Sequence, residues 1–183
     1  KLYKKLSPGP ITYILNLKNN SKISKIVTNK KSCLAVRFPK HKIFRKLLNN
    51  LNYPVAAPSA NISTRLSAVK ASDVKEDFGD KIKYILDGGK CNIGIESTII
   101  DLRDKPEILR LGGVEVSKIK KILGKKIKIT TNLKKKIAPG HSKLHYSPGI
   151  PLRMNVKKPN KNEAFILLKK NKNAYLNYFY LSK

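Results

Sequence analysis

Acidic residues are scarce in this chain. Eleven Asp and Glu stand against 40 Lys and Arg over 183 residues, a formal net charge of +29. No acid precedes Asp73, and all but Glu163 fall between Asp73 and Glu115. Paired catalytic carboxylates, a Ser-His-Asp order and a Walker loop cannot be assembled from what is present. Cysteine is equally sparse. Cys33 and Cys91 are isolated and lack metal-ligand spacing, which excludes a disulfide scaffold and a zinc cluster and predicts a reduced, cytoplasmic protein with free thiols. No apolar run is long enough to span a membrane and no signal peptide is visible, so no membrane partner is expected. Internal repeats are absent. The chain opens "KLYKKLSPGP" without an initiator Met and stops within a hydrophobic run at "YFYLSK", so it is expected to be cut at both ends.

The basic surplus raises non-specific attraction to phosphate. It is mostly Lys, scattered among Asn and Ile as an A/T-biased coding sequence would give, and the aromatic residues show no RNA-stacking signature. A solvated basic surface with some RNA affinity is the expectation.

Strands are predicted at "ITYILNL" (11–17) and "CLAVRF" (33–38), the latter closed by Pro39. Between Lys40 and Leu51, the residues Ile43, Phe44, Leu47, Leu48 and Leu51 share one helical face. "PVAA" (54–57) reads as a short buried strand. "ASDVKEDFG" reads as a helix with Ser72 as N-cap and Gly79 as stop. "KYILDGG", "ESTIIDL" and "PEILRLGG" are further strand candidates, and Val116, Ile119, Ile122 and Leu123 mark a helix ending at Gly124. Strands alternating with helices predict an α/β fold, a mixed sheet covered by helices. Beyond "KIKIT" the texture becomes that of a linker carrying "APGHSKLHYSPGIP", after which "EAFILL" and "AYLNYFYL" read as buried strands of a new unit.

Small polar side chains cluster after two of these strands. Ser59, Asn61, Ser63 and Ser67 follow "PVAA", and Ser97-Thr98 sit in "GIEST"; such turns can offer N–H groups and hydroxyls to phosphates or carboxylates, or can simply cap and bond their own backbone. Arg37 interrupts the strand "CLAVRF", where a buried charge would need an anion. No acid lies within thirty residues of it, so a bound carboxylate or phosphate stands beside a structural ion pair. Arg110 in "EILRLGG" poses the same question. His41 is expected to cap or decorate a helix, and His141 and His145 complete no metal set.

The segments "SPGPITYIL", "LAVRFPKH", "PVAAPSANIS", "ILDGG", "IGIESTIIDL" and "ILRLGGV" follow one another in the order and spacing of the YrdC-like threonylcarbamoyl-AMP synthases. "APGHSKLHYSP" resembles the linker of the family's long, two-domain members. The resemblance implies a twisted open mixed sheet with helices around a basic cavity in residues 1–131. It implies an interdomain linker over the active site at 132–161 and the beginning of a Rossmann-like domain at 162–183. It implies formation of threonylcarbamoyl-adenylate and pyrophosphate from ATP, L-threonine and bicarbonate, for threonylcarbamoyladenosine in tRNA, with Mg²⁺ carried by ATP. Partners would be those three substrates, tRNA or double-stranded RNA, and the proteins that complete the modification.

Residue by residue, Arg37, Ala57 and Ser97 match threonine-binding positions. Cys33 (through backbone), Ser59, Asn61, Ser67, Arg110 and Tyr146 match ATP-binding positions, with Ser59 and Asn61 nearest the phosphates and no side chain marked as a certain catalyst. Two departures stand out. Thr64 replaces the family's Gly after "NIS" and Ala68-Val69 replace its later Pro-Thr, which predicts a less tightly turned loop, and the family's Thr-rich turn and Lys-x-Arg are missing ahead of "SPGP". On that account the chain alone is expected to be inactive. The alternatives are an RNA-binding module of the same fold without catalysis, and a YrdC-like part of a carbamoyltransferase.

Overall fold

The computed structural model describes residues 1–124, 127–130, 149–169 and 177–181. The chain divides into two compact units, Lys1–Pro148 and Gly149–Lys183.

The first unit is organised by a five-stranded sheet in the order β2-β1-β3-β4-β5. Its strands are β1 (Ile11–Asn16), β2 (Cys33–Arg37), β3 (Thr98–Asp101), β4 (Glu107–Arg110) and β5 (Lys128–Ile129). β1 runs antiparallel to β2 and parallel to β3; β3 is antiparallel to β4, and β4 parallel to β5. The sheet is therefore mixed, as expected. A bulge between Ile99 and Ile100 shifts the β3–β4 register, which locally increases twist and re-aims the side chains beside it.

Period-two alternation divides this sheet into two faces. On one face Ile11, Tyr13, Ile100 and Ile108 are almost wholly buried. They pack with Leu2 and Leu6 of α1 (Leu2–Leu6) and Ile119 of α4 (Val116–Leu123), together with Val114 and Ile127. α4 ends where predicted, at Gly124 in a left-handed conformation with φ 66°, which glycine adopts without steric cost. On the other face Ile14, Ile99 and Leu109 form a smaller cluster with Cys33 at its edge. Neither α2 (Lys42–Asn49) nor α3 (Ala71–Phe78) contributes a buried residue.

Several expectations are corrected. "PVAA" is an exposed irregular segment, not a buried strand; Pro54 and Pro58 remove two backbone donors, and no sheet edge takes it up. "KYILDGG" is likewise irregular, with Tyr84 and Leu86 exposed. The N-cap of α3 is Lys70, and Ser72 lies inside the first turn. Asp73 secures that end by accepting from the Val69 N–H at 2.9 Å and the Lys70 N–H at 3.2 Å, and these bonds hold its carboxyl below the usual range. The apolar face of α2 forms as read, yet Ile43 and Leu47 remain exposed. His41 caps that helix, its Nδ1 accepting from the Phe44 N–H at 3.4 Å, with Nε2 3.1 Å from the Gly88 carbonyl. Arg37 is exposed at the end of the edge strand β2, so burial does not demand a partner for it.

In the second unit β6 (Phe165–Leu167) pairs in parallel with β7 (Tyr178–Tyr180). These strands are half-buried to exposed where buried strands were expected. Glu163 organises the approach to β6: Arg153 grips its carboxylate at 2.5 Å and the Asn160 N–H donates to it at 2.8 Å. Together, Arg153 first, they lower its pKa to about 2.

Candidate functional site

One row of residues crosses four strands of the first unit. Arg37 pairs with Thr12, Thr12 with Ile99, and Ile99 with Arg110. Directly paired residues point to the same side of a sheet, which puts Arg37, Thr12 and Ile99 on the second face. At the bulge the side of Arg110 is set by its bond to the Ser97 hydroxyl, which in turn meets Thr12, so an arginine stands at either end of that face.

Ser97 lies just before β3 and is 4 % exposed. The Arg110 Nε donates to its carbonyl at 3.1 Å and Nη2 to its hydroxyl at 3.2 Å. The same hydroxyl lies 2.7 Å from Thr12 Oγ1. Thr98, fully buried, points the other way, donating to the Val114 carbonyl at 2.8 Å and accepting from the Val114 N–H at 3.0 Å. This exchange clamps residues 97–98 against the Gly112-Gly113 turn, and Gly113 N–H donates to the Glu96 carbonyl at 2.8 Å. A β-carbon on Gly112 would stand 2.3 Å from that carbonyl and 2.6 Å from the Ser97 and Thr98 backbone. Only glycine permits the approach.

The other candidate residues distribute unevenly. Ser67 donates to the Glu96 carboxylate, which ties the 59–67 loop to the segment that carries Ser97. Asn61 is buried, and both of its amide protons are used inside its own turn, on the Ile62 and Arg65 carbonyls at 3.0 Å each. Its Oδ1 is buried with no partner among the described residues. As placed, Asn61 shapes the loop and offers an acceptor. Asp77 of α3 holds the same loop, accepting from the Ile62 N–H at 3.2 Å and from Arg65 at 2.8 Å. Thr64 sits within it at φ 77°. The tight turn that a glycine would supply is therefore kept, with a β-branched residue in a strained conformation.

Ala57 and Ser59 lie on the exposed stretch, and the Ser59 hydroxyl makes no bond to protein among the described residues. Cys33 is at the far end of β2, 3.7 Å from Arg103 Nη1. Arg103 is engaged by Asp101 at 2.6 Å, which lowers the Asp101 pKa and raises that of the guanidinium. Arg37 makes no ion pair or side-chain hydrogen bond among the described residues. Tyr146, His141 and His145 lie outside the described residues.

Sequence reasoning names Arg37, Ser97 and Arg110, which the structure brings to one face, and misses Thr12 and Glu96. Thr12 did carry a signal, as the hydroxyl residue that alternates with Ile11 and Tyr13 at the start of an apolar strand. Two grooves lie elsewhere. One of about 390 Å³ is lined by Lys40, Lys42, Arg45, Lys46, Asn49 and Asn50. An apolar one of about 480 Å³ lies by α1, between Tyr3, Tyr13, Phe38 and Leu102.

Comparison with known proteins bears on this arrangement. Residues 1–112 match the Sua5–YciO–YrdC family, described as "Telomere recombination". The chain is 40% identical over 153 residues to a threonylcarbamoyl-AMP synthase of Pyrococcus abyssi, covering 80% of this chain and 44% of that protein. Synthases of the same name are 39% identical in Schizosaccharomyces pombe and 37% in Bacillus subtilis, each covered over 39% and 44% of its length, respectively. The chain thus spans less than half of each. Among solved structures, P. abyssi Sua5 complexed with L-threonine superposes with a TM-score of 0.73 at 40% identity, over 80% of this chain and 44% of that one.

Proposed function

The chain belongs to the Sua5–YciO–YrdC family, and from that premise we propose that it supplies one wall of the active site of a threonylcarbamoyl-AMP synthase. The observation that carries the reading is the row on the second face, with Arg37 and Arg110 at its ends and the Thr12–Ser97 hydroxyl pair beside it. Guanidinium and hydroxyl donors on one side of a sheet suit a ligand rich in carboxylate and phosphate oxygens.

In this reading L-threonine is first carboxylated on its amine by bicarbonate. A carbamate oxygen then forms a bond to the α-phosphorus of ATP as the bond to pyrophosphate breaks, giving threonylcarbamoyl-AMP. No covalent intermediate on the protein is required. The chain contributes orientation and positive charge. Arg37 holds the threonine carboxylate, with Ser97 and the backbone at Ala57 alongside. Ser59, Ser67, Arg110 and the backbone at Cys33 face the nucleotide, Asn61 holds the shape of their loop, and Tyr146 belongs to the same proposal. Mg²⁺ arrives with ATP, ligated by its oxygens and water; among the described residues no three metal-binding side chains are grouped.

The linker at 132–161 and the Rossmann-like start at 162–183 are part of this reading, as are the proteins that complete the tRNA modification. A cytoplasmic location belongs to it too; among the described residues no helix is long and apolar enough to cross a membrane. For an RNA partner, the groove of Lys40 together with Lys42, Arg45 and Lys46 of α2 offers four cations to phosphates.

The test is calorimetric titration of the full gene product with L-threonine. Binding is expected, and Arg37→Ala should weaken it on the order of 10- to 100-fold, the cost of a charge-assisted bond. Absence of threonine binding, or an unchanged affinity in Arg37→Ala, would overturn the reading.

A further inference from the structure

We propose that Thr12 is a positioning residue of the carboxylate site, acting with Ser97 as one donor unit. The inference rests on the function proposed above, which includes the Thr12–Ser97 pair but gives Thr12 no role of its own.

A proton count supports it. Arg110 can only donate, so its 3.2 Å bond to Ser97 Oγ occupies one lone pair of that hydroxyl. Thr12 Oγ1 and Ser97 Oγ share a single bond of 2.7 Å, and each brings one proton. Whichever hydroxyl donates across that bond, the other keeps an O–H with no acceptor among the described residues. The pair therefore carries one surplus donor. Were Thr12 the donor, both lone pairs of Ser97 would be filled and its own O–H turned outward. Were Ser97 the donor, the outward O–H would be that of Thr12, which is the less buried of the two.

Placement gives the surplus donor its ligand class. Thr12 is the direct register partner of Arg37, so the hydroxyl pair and that guanidinium share one side of the sheet. An O–H beside a guanidinium matches an anionic oxygen, and the carboxylate of an amino acid presents two. The 2.7 Å bond fixes the Ser97 rotamer from one side while the Arg110 fork fixes it from the other. Losing the Thr12 hydroxyl leaves Ser97 free to turn its proton away from the ligand, with the fold unchanged, since valine has the same shape.

The experiment compares Thr12→Val and Thr12→Ser in the full gene product, titrated separately with L-threonine and with ATP, with thermal unfolding followed in parallel. Thr12→Val should weaken threonine binding roughly 3- to 10-fold, the scale of one hydrogen bond, while ATP affinity and the unfolding temperature hold. Thr12→Ser should restore threonine binding to within about twofold. With Ser97→Ala, the double variant should be no weaker than the worse single one, as residues acting as a unit behave. Unchanged threonine affinity in Thr12→Val, or additive losses, would overturn the proposal while Arg37→Ala still upholds the function. Failure of the unsubstituted protein to bind threonine would overturn both.

Discussion

Ile11, Tyr13 and Ile100 alternate along β1 and β3 with Thr12, Ile14 and Ile99, one residue apart, and the two sets are built differently. The first set lies under α1 and α4 in a continuous apolar cluster. The second shares its face with Arg37, Arg110, Asp101 and a hydroxyl pair, over a cluster of three buried residues. Features other than packing occur in the turns joined to the Ser97 segment: a strained Thr64, a Gly112 approach that leaves no room for a methyl, and an Asn61 acceptor with no partner among the described residues. Strain and unsatisfied groups of this kind persist where surrounding structure enforces them. One sheet thus separates the residues that hold the fold from those of the proposed site, and period-two alternation is enough to do it.

The contrast can be broken most forcefully from the covered side. Ile100→Ala should lower the unfolding free energy by about 2 to 5 kcal/mol, read by denaturant titration, because Ile100 is fully buried in the centre of the larger cluster. A loss below about 1 kcal/mol would show that this face is not the core. Next comes Gly112→Ala. Its new methyl would collide with the backbone of residues 96–98, costing about 1 to 3 kcal/mol, and the accompanying shift of Ser97 should weaken threonine binding as well. Stability lost with threonine affinity intact would separate the turn from the site. The smallest effect is a gain. Thr64→Gly removes the left-handed penalty but adds freedom to the unfolded chain, for a net stabilisation of about 0.5 to 1 kcal/mol, visible as a raised melting temperature. A destabilised variant would mean that Thr64 makes contacts worth more than its strain.

What could be read from the chain differed by element. β1, β2, α4 and the stop at Gly124 were legible because alternation, helical spacing and a glycine cap are local signals. "PVAA" and "KYILDGG" carry similar apolar runs and still form no strand, since a strand exists only where another edge takes up its hydrogen bonds. Arg37 was selected for a burial it does not have, yet the structure brings it to the same face as Ser97 and Arg110. Asn61 matches a position near the nucleotide phosphates, and its amide protons bond the Ile62 and Arg65 carbonyls of its own turn, an arrangement that depends on the loop's path.

By itself the sequence determined the α/β class, the position of the main strands and helices, the basic surplus and the order of segments that marks the family. Those properties depend on residue type and short-range spacing. Tertiary structure decided which strands became neighbours, and through them that Thr12 meets Ser97 across 85 positions, that Ser67 finds Glu96, and that Arg37 and Arg110 end one row. Such pairings are set by register between strands distant in the chain. No local pattern encodes that register, because it is selected by the burial of the whole opposite face.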